Sequence, residues 1–298
     1  MPEGIILKGV GGFYSVLGKE DGSIYTCTVR GIHRMQGGVT PLVGDAVTFN
    51  ILDSESKEGH IDQILDRKNS FIRPPVSNID RLAVVIAVKN PLPDLMLVDK
   101  LIITSVAKGI EPMIIINKVD LDEDLQADKL KTIYKNTGFT ILALSKITRE
   151  GYDELHTELS GNTTAFAGQS GVGKSTILNA VLDNWVMETG EVSERIQRGK
   201  HTTRHVQLFR LNTGGFIMDT PGFSTFSIDD ATHETLADHY PEFQTSDLCK
   251  FKGCSHINEP QCAIKNLLNS GIIDKGRYDR YTQIYKELKE SYDNRYRR

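Results

Sequence analysis

The sequence predicts a chain of three domains: a small closed β barrel, a central α/β domain and a mainly helical, metal-binding C-terminal domain. Three observations predict it. Five short strand-like runs fill the first 70 residues, "GIILKG", "FYSVL", "SIYTCTV", "DAVTFNIL" and "HIDQIL", separated by glycine-rich or polar turns. From Arg81 onward, short apolar runs alternate with helix-compatible stretches. Near the C-terminus, three of the four cysteines gather around a histidine.

Composition sets the outer limits. The 298 residues are 39% hydrophobic and 25% charged with a net charge of −4, as in an ordinary globular protein. A strongly basic scaffold is excluded, although local basic surfaces are not. The opening "MPEGIILKGVGG" places Gly and Lys where a signal peptide needs continuous apolar residues. No run reaches the length of about 20 apolar residues that spans a bilayer. The expectation is a cytoplasmic protein without a membrane role.

About five strands without helical periodicity are the signature of an OB-fold barrel, assigned to residues 1–70. Such barrels often bind oligonucleotides. Seven basic and nine acidic residues between Met1 and Ser70 leave RNA contact and simple packing both open. "IRPPVSN" at Ile72–Asn78 reads as a linker into the central domain, residues 71–228. There the strands "RLAVVIAV", "PMIIIN", "TILALS", "TAFAG", "HVQLFRL" and "FIMDT" alternate with helices near 93–107, 125–137 and 152–159 and from Lys174. Nearly all-apolar strands argue for a sheet covered on both faces.

"GQSGVGKST" at Gly168–Thr176 follows an apolar strand and opens a helix, the setting a phosphate loop requires. Glycines let the backbone N–H groups of Gly168, Gln169, Ser170, Gly171, Val172 and Gly173 converge on phosphates, and the helix N-terminus adds its dipole. Lys174 would reach the β- and γ-phosphates, Ser175 would ligate Mg²⁺, and Thr176 closes the set of GTP-binding residues in the loop. Asn117-Lys118-Val119-Asp120 ends an earlier strand. A carboxylate at Asp120 accepts from the ring N–H and exocyclic amine of guanine, a pair that adenine lacks. Asn117 would brace the loop, and the methylene stem of Lys118 would lie along the ring. "LSK" at Leu144–Lys146 supplies a second base-contacting turn through Ser145 and the Lys146 backbone, although Ala is more usual after the Ser. "DTPG" at Asp219–Gly222 would hold Mg²⁺ through Asp219 and sense the γ-phosphate with the Gly222 N–H. "GKHTTRH" at Gly199–His205 stands where the first switch belongs, with Thr202 or Thr203 as the Mg²⁺ ligand.

The order is base reader, second base turn, phosphate loop, first switch, DxxG. Moving the first three strands of an ordinary G domain behind its last three produces it, which is feasible because domain termini often lie close together. Every motif stays at a strand's carboxyl end, where open α/β sheets gather ligands. On these motifs the chain resembles the ribosome small-subunit-dependent GTPases, a circularly permuted family with an N-terminal OB-fold and a C-terminal zinc-binding domain. The resemblance implies slow GTP hydrolysis to GDP, stimulated by the small ribosomal subunit, and a part in its late maturation through rRNA contacts, alongside other assembly factors and as a monomer.

Many GTPases place a water-orienting Gln after DxxG, but Phe223 stands there. His201, beside the switch threonines, is the candidate catalytic residue, with His205 as its rival; the family pattern points to His201. Two other classes remain open: an RNA-binding scaffold with a vestigial nucleotide site, and a phosphate-loop kinase of a small metabolite.

Residues 229–298 form the third predicted domain. Cys249, Cys254, His256 and Cys262 offer three thiolates and an imidazole within fourteen residues, a set suited to one structural Zn²⁺. Tyr278, Tyr281, Tyr285, Tyr292 and Tyr296 line one face of a predicted helix. Eight basic and four acidic residues between Lys275 and Arg298 leave two readings of that face, packing or RNA stacking.

Overall fold

A computed structural model describes residues 1–29, 39–189, 206–219, 228 and 230–295. The chain begins with β1 (Glu3–Val10), β2 (Phe13–Gly18), β3 (Ile24–Val29), β4 (Ala46–Asp53) and β5 (Glu58–Ile64). Two-residue strands β6 (Ser70–Phe71) and β7 (Val76–Ser77) precede β8 (Arg81–Ala87), α1 (Leu95–Ala107) and β9 (Glu111–Asn117). Then come α2 (Gln126–Tyr134), β10 (Thr140–Leu144), α3 (Tyr152–Leu159), β11 (Thr163–Ala167) and α4 (Lys174–Thr189). The chain continues through β12 (Gln207–Arg210), β13 (Phe216–Asp219), α5 (Ala263–Asn269) and α6 (Lys275–Arg295). Among the described residues no helix is long and apolar enough to cross a membrane.

Two compact units emerge. The first comprises Met1–Leu82, Tyr152–Ala167 and Lys174–Phe223. Its first five strands run β1-β2-β3-β5-β4, and β4 pairs back on β1 (Gly4↔Val47), which closes the predicted barrel. Alternation selects its core: Tyr25 and Cys27 of β3 point inward with Ile6, Val16, Val47, Phe49 and Ile61, while Ile24, Thr26 and Thr28 face out. Closure requires glycine at position 4, where a Cβ would stand 2.5 Å from Val16 and 2.7 Å from the Leu17 carbonyl.

The predicted linker is folded instead. Val76 and Ser77 are buried, and the Ser77 hydroxyl donates to Asp45 at 2.6 Å. Asp45 is fully buried and also receives a two-pronged Arg67 guanidinium, both bonds at 2.7 Å. Removing this carboxylate from water is offset by charge-assisted bonds, and that pins the segment to the turn that enters β4. Beyond it, β11 and β13 pair in parallel, β12 runs antiparallel to β13, and Lys8 of β1 pairs with Gln207 of β12.

The second unit comprises Ala83–Gly151, Gly168–Gly173 and Ser224–Arg298. Its strands run β10-β9-β8, with β9 and β10 parallel from Met113↔Thr140 to Asn117↔Leu144. Leu82–Ala87 and Met113–Ile116 are almost wholly buried, as continuous apolar runs require. Asp94 caps α1 by accepting the Leu97 N–H at 3.0 Å. The C-terminal segment packs Leu236, Tyr240, Phe243, Ile264, Tyr281 and Ile284 with Ile103 of α1. Tyr278 and Tyr281 are buried, so the packing reading holds for that part of the α6 face. Tyr292 is 42% exposed beside His233, ring centroids 5.1 Å apart; Tyr296 lies outside the described residues.

One cluster had no counterpart in the sequence reading. Arg277 of α6 is fully buried, forks onto Glu242, and donates to Asp99 of α1 at 2.6 Å. Arg280 and the Tyr134 hydroxyl also donate to Asp99. The Arg277 guanidinium lies 5.0 Å from the Tyr134 ring and 4.7 Å from that of Tyr240, adding cation–π attraction.

Candidate nucleotide site and metal centre

β9 ends at Asn117, and the chain turns sharply because Lys118 adopts a left-handed conformation, φ 63°. The turn aims two side chains at the glycine-rich loop. Asn117 is 4% exposed and its amide donates to the Val172 carbonyl at 2.8 Å. The Lys118 ammonium donates to the Gly171 carbonyl at 2.8 Å and to the Asn90 carbonyl. Ser145, at the end of β10, is fully buried and donates to Asp120 at 2.7 Å. The same hydroxyl accepts the N–H groups of Ile147 (3.1 Å) and Thr148 (3.2 Å), so one side chain ties the base-reading turn to the second turn. Asp120 and Lys146 are exposed at the surface.

Two glycines of the loop have no substitute. A Cβ on Gly168 (φ 139°) would lie 2.3 Å from the Val85 carbonyl, and one on Gly173 (φ 101°) 2.3 Å from the Asn117 amide nitrogen. Ser170 and Gly171 are exposed, Gln169 is half-buried, and Val172 is buried at 2% exposure. The second unit thus brings Asn117, Lys118, Asp120, Ser145 and Gly168–Gly173 together.

The first unit carries the rest. Lys174, Ser175 and Thr176 form the first turn of α4, and burial lowers the Lys174 pKa. Asp219 ends β13, whose parallel pairing with β11 puts its carboxyl end beside the strand that leads into the loop. His201, Thr202, Thr203, His205, Gly222 and Phe223 lie outside the described residues.

The C-terminal cluster is a second site. One ligand atom from each of Cys249, Cys254, His256 and Cys262 falls within 4.8 Å of the others. The His256 Nδ1 approaches Cys262 Sγ at 3.3 Å and Cys249 Sγ at 3.6 Å, so that nitrogen is the one turned toward the thiols. Burial pushes the Cys254 thiol up to about 12 and lowers His256. A cation bound here would draw the protons off these thiols. Glu259 organises the loop by accepting from Ser255 N and Oγ, Ile257 N and Asn258 N. Tyr278 and Tyr281 donate to the carbonyls of His256 and Ser255.

The sequence pattern of the RsgA GTPase family matches residues 64–229, and that of the RsgA N-terminal domain matches residues 3–61. The chain belongs to the RsgA GTPase family. The Small ribosomal subunit biogenesis GTPase RsgA of Ruminiclostridium cellulolyticum is 48% identical over 291 residues, 97% of this chain and 95% of that one. The protein of the same name from Agathobacter rectalis is 43% identical, over 96% of this chain and 98% of that one. The crystal structure of YjeQ from Thermotoga maritima matches with a TM-score of 0.82 at 32% identity, over 96% of this chain and 98% of that one. That of YloQ, a circularly permuted GTPase, also gives 0.82, at 34% identity over 98% of this chain and 96% of that one.

Membership in the RsgA family makes this chain a GTP hydrolase and accounts for its motif order by circular permutation. The barrel, the central GTPase fold and the helical C-terminal part match the predicted fold class. Three contributors escaped the sequence reading. Asn90 contributes a backbone atom, for which no residue type signals. Glu259 lies between His256 and Cys262, where its residue type alone does not mark it as a loop organiser. Arg277 is one of the eight basic residues between Lys275 and Arg298, and nothing in its spacing marks it as buried.

Proposed function

We propose that this protein is a GTP-driven, monomeric assembly factor that binds the small ribosomal subunit in the cytoplasm and assists its late maturation. The observation that carries the reading is the pair of side chains, Asn117 and Lys118, bonded to backbone carbonyls of the glycine-rich loop. Base recognition and phosphate binding are thereby one rigid assembly. The residues fit a guanine nucleotide: Gly168 and Gly173, at positive φ, let the loop pack directly on Val85 and Asn117, and Ser145 steers the Asp120 carboxylate.

In this reading Asp120 accepts from the guanine edge, the Lys146 backbone N–H meets its oxygen, and Gly168–Gly173 cradle the phosphates. Lys174 holds the β- and γ-phosphates, and the Gly222 N–H senses the γ-phosphate. Ser175, Thr202 or Thr203, and Asp219 hold Mg²⁺, which neutralises charge developing on the phosphate oxygens. Phe223 has no hydrogen-bonding group to orient water, so that task falls to His201 and intrinsic turnover is slow. The three domains are assigned to 1–70, 71–228 and 229–298.

Ribosomal RNA is the partner proposed for the barrel and the metal-binding domain, alongside other assembly factors. Exposed Val10 and Phe13 flank the Gly11–Gly12 turn of the β1–β2 hairpin. Between two metal ligands, exposed Lys250, Phe251 and Lys252 combine a stacking ring with phosphate-seeking charge.

Steady-state hydrolysis of GTP and ATP, with and without purified small subunits, tests the whole. GTP-only turnover that rises strongly with subunits, and collapses in His201→Ala at unchanged GTP affinity, is the expected result. Equal use of ATP would support the kinase reading. Normal subunit assembly in cells carrying Lys174→Ala would support the vestigial scaffold.

The metal is proposed to be one structural Zn²⁺ on Cys249, Cys254, His256 and Cys262. Glu259→Ala is expected to weaken zinc retention about 10–100-fold, the usual effect of removing a supporting shell. A competition titration against a chromogenic chelator reads it, and unchanged retention would remove Glu259 from that role. Chelation of the wild type should raise hydrogen exchange across residues 230–295.

A further inference from the structure

We propose that the loop from Val88 to Asp94 is a fourth element of the nucleotide site, acting through the Asn90 carbonyl as a positioning group for Lys118. This rests on the reading that Asn117–Asp120 binds guanine. The loop leaves the carboxyl end of β8 and is tied down at both ends. The Val88 N–H donates to the Asn117 carbonyl at 3.1 Å, and Asp94 caps α1. Between these anchors Lys89 pairs with Glu123 at 3.1 Å, just beyond the base-reading turn. Pro91 lies against the phosphate loop, its Cδ 3.7 Å from where a Cβ on Gly171 would stand. The loop therefore touches both halves of the site within its own unit.

Asn90 holds a left-handed conformation, φ 51°, which Asn and Gly tolerate and β-branched residues do not. That conformation presents its carbonyl to the Lys118 ammonium. With the Gly171 carbonyl at 2.8 Å as the second acceptor, the ammonium is fixed between two backbone oxygens on different loops. A lysine held at its head has its four-carbon stem stretched before any ligand arrives. An unheld lysine loses most of its rotamer freedom only when a ring settles on it. The Asn90 carbonyl thus contributes affinity without touching the ligand.

The stem meets the face of the ring, whereas Asp120 reads its edge. Disturbing Asn90 should then weaken all purine nucleotides that share the ring by a common factor, leaving discrimination at the edge intact. The experiment measures Kd for GDP and for IDP, which lacks the exocyclic amine, in wild type, N90V, N90G, K118M and the N90V/K118M double variant. N90V is expected to lose roughly fivefold to twentyfold for both nucleotides, the scale of one charge-assisted hydrogen bond. N90G should restore wild-type binding, because glycine keeps the left-handed backbone. K118M retains the stem without its ammonium, so adding N90V to it should change nothing further.

Wild-type affinity in N90V overturns the proposal, as does an equal N90V loss in the K118M background. A GDP/IDP ratio that shifts in N90V also overturns it, since the loop would then act on the ring edge. K118M and the double variant give the answer even where N90V lowers the melting temperature of the nucleotide-free protein. Failure of the wild type to bind GDP at all would instead overturn the guanine reading of the site.

Discussion

Gly173→Ala is expected to abolish useful guanine-nucleotide binding in a protein that still folds. The added methyl would stand 2.3 Å from the Asn117 amide nitrogen, and the backbone there has φ 101°. Asn117 is buried and its amide is committed to the Val172 carbonyl at 2.8 Å, so it cannot swing aside without breaking that bond. The left-handed backbone costs a residue with a Cβ about 1–2 kcal/mol. Losing a buried hydrogen bond costs about 1–3 kcal/mol more. At about 1.4 kcal/mol per decade, the two together weaken binding on the order of 10²-fold or more. Calorimetric titration with GDP measures it, and affinity within fivefold of wild type would show that Asn117 does not brace the loop. Circular dichroism spectra matching wild type separate this outcome from misfolding.

Arg277→Ala should produce the largest loss of stability of any single substitution considered, about 3–5 kcal/mol. It would strand the Glu242 carboxylate, 7% exposed, away from water and leave fully buried Asp99 to Arg280 and the Tyr134 hydroxyl alone. It also removes the cation between the Tyr134 and Tyr240 rings. Against a typical stability of about 5–15 kcal/mol, this loosens the packing of α6 on α1. The comparison variant is Lys100→Ala, whose pairing with Glu287 joins the same helices but is partly exposed. It should change stability by no more than about 1 kcal/mol. Urea unfolding followed by circular dichroism reads both; an Arg277→Ala loss below that of Lys100→Ala would refute the account. Replacing Arg277, Arg280, Asp99 and Glu242 together by apolar residues should restore much of the stability, because no charge of the cluster is then left unpaired.

Much of the site was legible in the sequence because its chemistry is carried by residue types at short spacing. Asn-Lys-x-Asp needs its donors and acceptor within four residues of one strand end, and the phosphate loop needs its glycines in one turn. Cys249, Cys254, His256 and Cys262 likewise lie within fourteen residues. Apolar runs marked β8, β9 and β11 because both faces of these strands are covered. "IRPPVSN" was misread as a linker because its prolines hide a two-residue hairpin. That hairpin is held by Asp45, a residue more than twenty-five positions away in the sequence.

By itself, then, the sequence determined the three-part fold class, the permuted order of nucleotide motifs and the set of three cysteines and a histidine that the fold gathers. Each is written in local residue chemistry and in the periodicity of burial. Only the tertiary structure decided that Lys118 is held by the Asn90 and Gly171 carbonyls, because a backbone acceptor carries no residue signature. It alone decided that Arg277 is a core residue, joined to Asp99 across 178 positions and to Glu242 across 35. A charged side chain on a polar helix reads as solvated until its distant partners are in place, since the stabilisation of a buried charge resides in the pairing rather than in either residue.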